Sequence, residues 1–463
     1  MNKQLTEVSG PKYLQIKETL GEEIAQGVYK VGEKIPSENV LPKRFKVSKM
    51  TVVKAIDELV RDGILDRVRG SGTYVSAKSK PVTLNVGLFG DNSWILDEFE
   101  REYPEIKLNR IVYSHENIIE VSDNCDIDVF YLTDYAFGYF KAHKRLLDLT
   151  EAFEKEIFEE HLFFDEVMRM FEHRRKQYGI PVLFSPLVMY FNKKLFDEAG
   201  VAYPEDTWSR EEFLAKAKAL TMKPDANGIV PSYGFLMSQY RNRWPVYVLQ
   251  EGGSIMDDDG KTALVGSPEV VAALKWVGEL LHKHKVCPVF PYMNDAMSQE
   301  LFLNNRAAML MGSYYSIRHF LNLDCCIAPL PMGKCDVTGL IADSLAVSAK
   351  CQNVDAAVKL IKFAVSEKIQ KKLKLSAFGL PSRKATALSY DDIPEGINSE
   401  EYFSFLEFFP KGKGRKLLDV SEPKLLAPFW KHADMVWANM ESAESACALA
   451  QKEIDELSKE NGK

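Results

Sequence analysis

Residues 34–75, KIPSENVLPKRFKVSKMTVVKAIDELVRDGILDRVRGSGTYV, constrain the fold more than any other stretch, because their periodicity changes twice. Pro36-Ser37-Glu38 has the composition of a helix start: Ser37 can accept from free backbone N–H groups, and Glu38 suits the positive end of the helix dipole. That helix is expected to end near Phe45, with Lys46-Val47 as the turn. Ser48 then caps a second helix in which Val52, Ala55, Ile56, Leu59 and Val60 repeat at helical spacing on one buried face, leaving Met50, Val53 and Lys54 on the other. Gly63 stops this helix. Residues 64–68 and 73–75 read as strands around Arg69-Gly70-Ser71-Gly72, a turn whose glycines let backbone approach another surface closely. Two helices, a tight turn and a Gly-rich hairpin are the parts of a DNA-reading winged helix. In it Asn39, Ser48, Lys49, Met50, Thr51 and Lys54 are expected at the major groove, with Arg69, Gly70 and Ser71 in the wing at the minor groove.

The same residues carry a family resemblance. Tyr29, Gly32, Ile35-Pro36-Ser37-Glu38, Val47-Ser48-Lys49-Met50-Thr51-Val52, Gly63-Ile64 and Gly70-Ser71-Gly72-Thr73-Tyr74-Val75 together resemble the amino-terminal winged helix of the GntR regulators. The chain departs from that pattern with Lys49 and Val53 where arginines are usual. The departure bears on the operator sequence, since bidentate contact with guanine needs the arginine fork.

At 463 residues the chain is too long for one core and implies two or three domains. Its charge of −7 is uneven. Residues 1–80 hold 15 Lys+Arg against 10 Asp+Glu, and the remainder 44 against 56. The basic part matches a DNA reader, and the acidic part is not a nucleic-acid surface. No run has the length or apolarity of a secretory signal or a membrane span, so a cytoplasmic location is expected. The seven cysteines form no CxxC pair and read as buried free thiols in a reducing compartment.

Tyr13, Ile16, Leu20 and Ile24 mark a first helix ended by Gly27, covering the winged-helix core. The domain is placed at 1–76, a polar linker at 77–81, and a second domain at 82–463. From residue 82 short apolar strands (83–89, 106–108, 127–132) alternate with a helix containing Leu96, Phe99 and Tyr103, with the acids at 97, 98 and 100 on its solvated face. That alternation implies an open, mainly parallel α/β sheet with ligands at loops beyond the strand ends.

In this second part Phe99-Glu100-Arg101-Glu102-Tyr103-Pro104-Glu105-Ile106-Lys107, Gly179-Ile180-Pro181, Tyr190-Phe191-Asn192-Lys193, Gln250-Glu251-Gly252-Gly253-Ser254 and Ala307-Ala308-Met309 with Gly312-Ser313-Tyr314 are similar to family 1 extracellular solute-binding proteins, the sugar receptors of ABC importers. The resemblance implies two α/β lobes, type II periplasmic-binding-protein-like, around a cleft that closes on a small solute. A receptor kept inside the cell behind a DNA reader would sense the solute, not deliver it.

No catalytic constellation is present: there is no P-loop, HExxH, GxSxG or zinc-spaced Cys/His set, and Asp257-Asp258-Asp259 lacks the spacing of a calcium loop. Neither an enzyme activity nor a cofactor nor a metal is expected. A sugar needs flat aromatic faces beside carboxylates, amides or guanidinium groups. Such mixtures place candidate ligand contacts at Asn92, Asp134, Phe184, Arg241, Trp244, Tyr314 and Asp343, while Trp276 and Trp437 read as packing. The expected whole is a homodimeric, sugar-responsive repressor binding double-stranded operator DNA. Two alternatives stand beside it: a GntR-type regulator with an aminotransferase-like, pyridoxal-phosphate-binding domain, and an exported importer receptor.

Overall fold

In the computed structural model, the described residues are 11–25, 27–76, 82–88, 93–114, 117–155, 158–237, 243–289, 295–409, 414–418 and 421–461. The proposed linker 77–81 lies wholly outside them. Contacts divide the chain into two compact units, residues 1–84 with 96–109, and residues 85–95 with 110–463.

The winged helix comprises α1 (Lys12–Ala25), α2 (Leu41–Phe45), α3 (Lys49–Arg61), β1 (Leu65–Val68) and β2 (Gly72–Val75). Its core gathers Ile16 and Leu20 of α1 with Ile35, Leu41, Phe45, Val52, Ala55, Ile56, Leu59, Leu65 and Val75. Helix α2 starts three residues later than a cap at Ser37 suggests. A helix begun at Ser37 would put Pro42 in its interior, where proline lacks the N–H and clashes with the preceding turn; starting at Leu41 puts Pro42 in the first turn, where it is tolerated. Ser37 therefore contributes its carbonyl, which accepts from the N–H groups of Val40 and Leu41, and Glu38 instead pairs with Arg67 at 2.7 Å. Lys46, in the left-handed region at φ 52°, closes α2. In α3 the hydroxyl of Ser48 accepts from the Thr51 N–H at 3.2 Å, and Gly63 (φ +77°) turns the chain into the wing.

Beyond it come β3 (Val82–Leu88), α4 (Ser93–Glu102), β4 (Ile106–Val112), α5 (Ile118–Asn124), β5 (Val129–Thr133), α6 (Asp134–Ala142), the two-residue hairpin strands β6 (Glu172–His173) and β7 (Lys176–Gln177), β8 (Ile180–Asn192), β9 (Leu236–Met237), β10 (Met309–Ser313), β11 (Cys325–Ala328), β12 (Thr338–Val347), β13 (Leu380–Pro381) and β14 (Gly414–Lys416). One sheet has the order β4-β3-β5-β12-β8-β10-β9, with β11 and β13 on β8 and β14 on β12. It is mixed, not mainly parallel. β3 runs parallel to β5, but β12 is antiparallel to both β5 and β8, and β8 to β10.

The reason is β8. All thirteen of its residues are buried, and it lies between β12 and β10, so it reads as a largely apolar run in which only Ser185 and the terminal Asn192 are polar. Its successive side chains enter different cores: Leu187, Met189 and Phe191 join one cluster with Trp244, Phe429 and Trp437, while Phe184, Val188 and Tyr190 join another with Phe137, Tyr314 and Tyr402. Two further expectations change. Glu100 is not merely solvated, since its carboxylate accepts from the Leu108 N–H at 2.9 Å. Cys125 is exposed and Cys325, Cys326 and Cys335 are half-buried; only Cys287, Cys351 and Cys447 are buried free thiols. Among the described residues no helix is long and apolar enough to cross a membrane.

Candidate functional site

Two constellations carry chemistry. The first is the outer face of the winged helix. Asn39, Ser48, Lys49, Met50, Lys54, Arg69, Gly70 and Ser71 are exposed and Thr51 is half-buried. The Ser48 cap fixes the first turn of α3, and Ser48 Oγ and Thr51 Oγ1 lie 2.8 Å apart, so these two hydroxyls are engaged with each other. Arg67 reaches Glu38 at 2.7 Å and Asp57 at 2.8 Å, tying the wing to both helices. These contacts fix the first turn of α3 and the base of the wing.

The second lies where β5, β12 and β8 meet. Asp343 is paired to Thr133 on one side and Leu183 on the other, and the β12–β8 register shifts between Asp343 and Ser344, leaving Val182 as the extra residue. Such a bulge re-aims the side chains beside it. Tyr131 Oη donates to Asp343 Oδ2 at 3.3 Å. Tyr131 is itself held by Tyr113, whose hydroxyl donates to the Tyr131 carbonyl at 2.9 Å and accepts from its N–H at 3.1 Å. Tyr113 has room only because residue 87 is glycine: a Cβ there would lie 2.5 Å from the Tyr113 ring.

Asp134 begins α6, capped by Thr133, and is 1% exposed. Burial, and then the charge of Asp134, push the Asp343 carboxyl up to about 7, against the opposing pull of the Tyr131 hydrogen bond and Arg243. Burial and then the charge of Asp343 hold the Tyr315 phenol well above its usual value, with Tyr131 and Asp134 adding to it and Arg243 opposing it. Four tyrosine hydroxyls, those of Tyr247, Tyr314, Tyr315 and Tyr402, are buried without a hydrogen-bond partner among the described residues. Of these only Tyr315 feels the two aspartates. The cluster thus offers two carboxylates that accept, a guanidinium that donates, and phenols that do either.

Of the sequence candidates, Asp134 and Asp343 belong to this cluster. Asp343 sits within β12 and Phe184 in the middle of β8, neither of them in a loop beyond a strand end. Phe184 is fully buried, with ring centroids 5.3 and 5.1 Å from Phe164 and Phe409. Trp244 is 1% exposed, its ring 5.6 Å from Trp437 and 5.9 Å from Phe429. Tyr314 packs 5.0 Å from Phe405. Asn92 and Arg241 lie outside the described residues. Tyr131, Arg243 and Tyr315 were not singled out; the last two are the immediate neighbours of Trp244 and Tyr314, and only the three-dimensional register distinguishes them. No group of three or more His, Cys, Asp or Glu side chains suited to a metal occurs among the described residues.

An α/β domain with this acid, phenol and guanidinium cluster, preceded by a winged helix, defines a two-lobed solute-binding protein joined to a DNA-binding module. Residues 91–371 match the family model described as bacterial extracellular solute-binding protein, and the chain belongs to that family. Residues 12–75 match the bacterial regulatory proteins of the gntR family. A probable fructoselysine utilization operon transcriptional repressor of Escherichia coli K12 is 45% identical over 80 residues, 17% of this chain and 33% of that protein. The mannosyl-D-glycerate transport/metabolism system repressor MngR of the same strain is 45% identical over 65 residues, 14% and 27% of the two chains. This chain therefore spans a third or less of these relatives. Among solved structures, an ABC substrate-binding protein of Listeria monocytogenes in complex with cycloalternan superposes with TM-score 0.69 at 24% identity, covering 81% of this chain and 98% of that one. Maltose-bound MalE3 of T. maritima gives 0.66 at 23% identity, covering 81% and 100%. These likenesses show the fold. The aminotransferase-like alternative is overturned, because the region it would occupy has the solute-binding fold.

Proposed function

We propose that the chain is a cytoplasmic transcription regulator whose solute-binding domain senses a sugar or similar polyol and whose winged helix reads operator DNA. The observation that carries the sensing half is the buried Tyr315 hydroxyl, left without a hydrogen-bond partner beside Asp134, Asp343, Tyr131 and Arg243. A buried polar group in that state calls for an explanation, and the hydroxyl of a bound solute supplies one. The two named relatives of the winged helix, a probable fructoselysine utilization operon repressor and a mannosyl-D-glycerate transport/metabolism system repressor, support repression relieved by the solute. A homodimer follows from the two-fold symmetry typical of operators.

Binding coupled to DNA affinity requires that the solute favour one arrangement of the DNA readers, and a coupling of about 1–3 kcal/mol changes occupancy roughly 5- to 150-fold. The test is a thermal-shift screen of the full chain against mono- and oligosaccharides. A ligand at about 100 times its dissociation constant adds about 2.7 kcal/mol of stability. A screen in which sugars and sugar alcohols leave the melting temperature unchanged while an amino acid or peptide raises it would assign a different solute class.

A further inference from the structure

The reading helix has no arginine to offer a base. The winged helix contains four arginines, at positions 44, 61, 67 and 69. Arg44 pairs with Glu23 and bonds Tyr29 at 3.2 Å; Arg61 pairs with Glu58; Arg67 spans Glu38 and Asp57. Arg69 stands in the wing, between β1 and β2. Guanine is read most specifically by a planar fork of donors, and α3 presents none on its outward face.

What α3 presents instead is apolar. Met50 is 75% exposed, one of the most exposed large hydrophobic side chains described, and Val53 lies half-buried one turn further along the same face. Together with Thr51, Lys12, Tyr13, Lys54 and Asp57, whose carboxylate is paired with Arg67, they line an open hollow between α1 and α3. Lys54 does not cover them: its ammonium sits 4.0 Å from the centre of the Tyr13 ring, turned toward α1. The hydroxyls of Ser48 and Thr51 are committed to the helix cap. Lys49, in the first turn, is left as a point charge for phosphate.

We propose that Met50 and Val53 read the C5-methyl groups of thymine, so that the bases facing α3 are A·T pairs recognised by apolar contact. This rests on the DNA-reading function proposed above and assigns its specificity. The physical ground is that the major groove presents one apolar group, the thymine methyl, and an exposed Met50 with a half-buried Val53 gain from burying it while offering guanine nothing.

The experiment selects duplexes from a randomised pool with the full chain, then replaces each thymine of the enriched core by deoxyuridine, which removes the methyl and leaves the hydrogen-bonding edge. Each contacted methyl lost weakens binding about fourfold, and Met50→Ala and Val53→Ala each lose that discrimination at the thymine the replaced side chain contacts. Met50 is exposed enough for the Ala variant to keep its fold, which circular dichroism checks. Enriched cores centred on guanine, or equal affinity of the wild-type chain for both duplexes, overturn the inference and leave DNA reading standing. A pool with no enriched duplex overturns both.

Discussion

The hydroxyl of Tyr131 donates to the carboxylate of Asp343 at 3.3 Å, diagonally across the β5–β12 ladder. The Asp343 carboxyl, ordinarily near 3.8, stands at about 7, from burial first and the neighbouring Asp134 charge second. Between those two values the folded chain holds a proton that the unfolded chain releases, so this group's contribution to stability declines as pH rises from about 4 to about 7 and is lowest above that. Asp343→Asn removes the ionisation. Its melting temperature should exceed that of the wild type at pH 8, with the difference shrinking toward pH 4. A difference independent of pH would show that Asp343 does not titrate in this window.

Tyr113 acts on the cluster through Tyr131. Tyr113→Phe deletes a hydroxyl that bonds both the carbonyl and the N–H of Tyr131 in a buried strand. The expected cost is about 1–3 kcal/mol, read by denaturant titration, with weaker solute binding because Tyr131 loses its anchor. Unchanged stability would mean that the strand recruits another partner.

Two aromatic substitutions separate packing from recognition. Trp244→Ala empties a cluster shared with Phe429, Trp430 and Trp437, and should cost about 3–5 kcal/mol. Tyr315→Phe removes an unpartnered buried hydroxyl, so stability should hold or rise while affinity for the solute falls. Calorimetry on both variants checks this; a Tyr315→Phe protein that binds as tightly as the wild type removes Tyr315 from the site.

Lys49→Ala should weaken operator binding uniformly across sequences. The slope of log affinity against log salt should become shallower by about 0.9, the value of one released counterion. Equal slopes from gel-shift titrations at several salt concentrations would place Lys49 away from the phosphates.

Ser48→Ala removes the cap that accepts from Thr51 N–H and frees the Thr51 hydroxyl. About 1 kcal/mol of stability should be lost from α3, with DNA affinity falling alongside. Ser48→Asp, which keeps an acceptor at the cap, should restore the stability but not the affinity, because the added charge opposes phosphate.

The winged helix was legible because its signals are local. Ser48 caps the helix that starts at the next residue by accepting from an N–H three residues on, and the Gly63 and Gly70 turns specify their own backbone. The one local misreading, the start of α2, came from weighing Ser37 without Pro42. The cluster was half legible. Asp134 and Asp343 stood out as acids beside apolar runs, but Arg243 and Tyr315 did not separate from Trp244 and Tyr314. Adjacent residues point in different directions, and which of them faces the core depends on the register of β8 and β10, which no single stretch encodes.

The sequence by itself determined that a basic DNA-reading module precedes a longer acidic α/β part, because caps, turns, periodicity and charge act over a few residues. Tertiary structure alone decided that β8 and β12 run antiparallel and that residues 131, 134, 243, 315 and 343 share one surroundings. These residues are separated by up to some two hundred positions. The protonation of Asp343 and Tyr315 responds to these neighbours only because folding removes the water between them, and no pattern read along the chain records that exclusion.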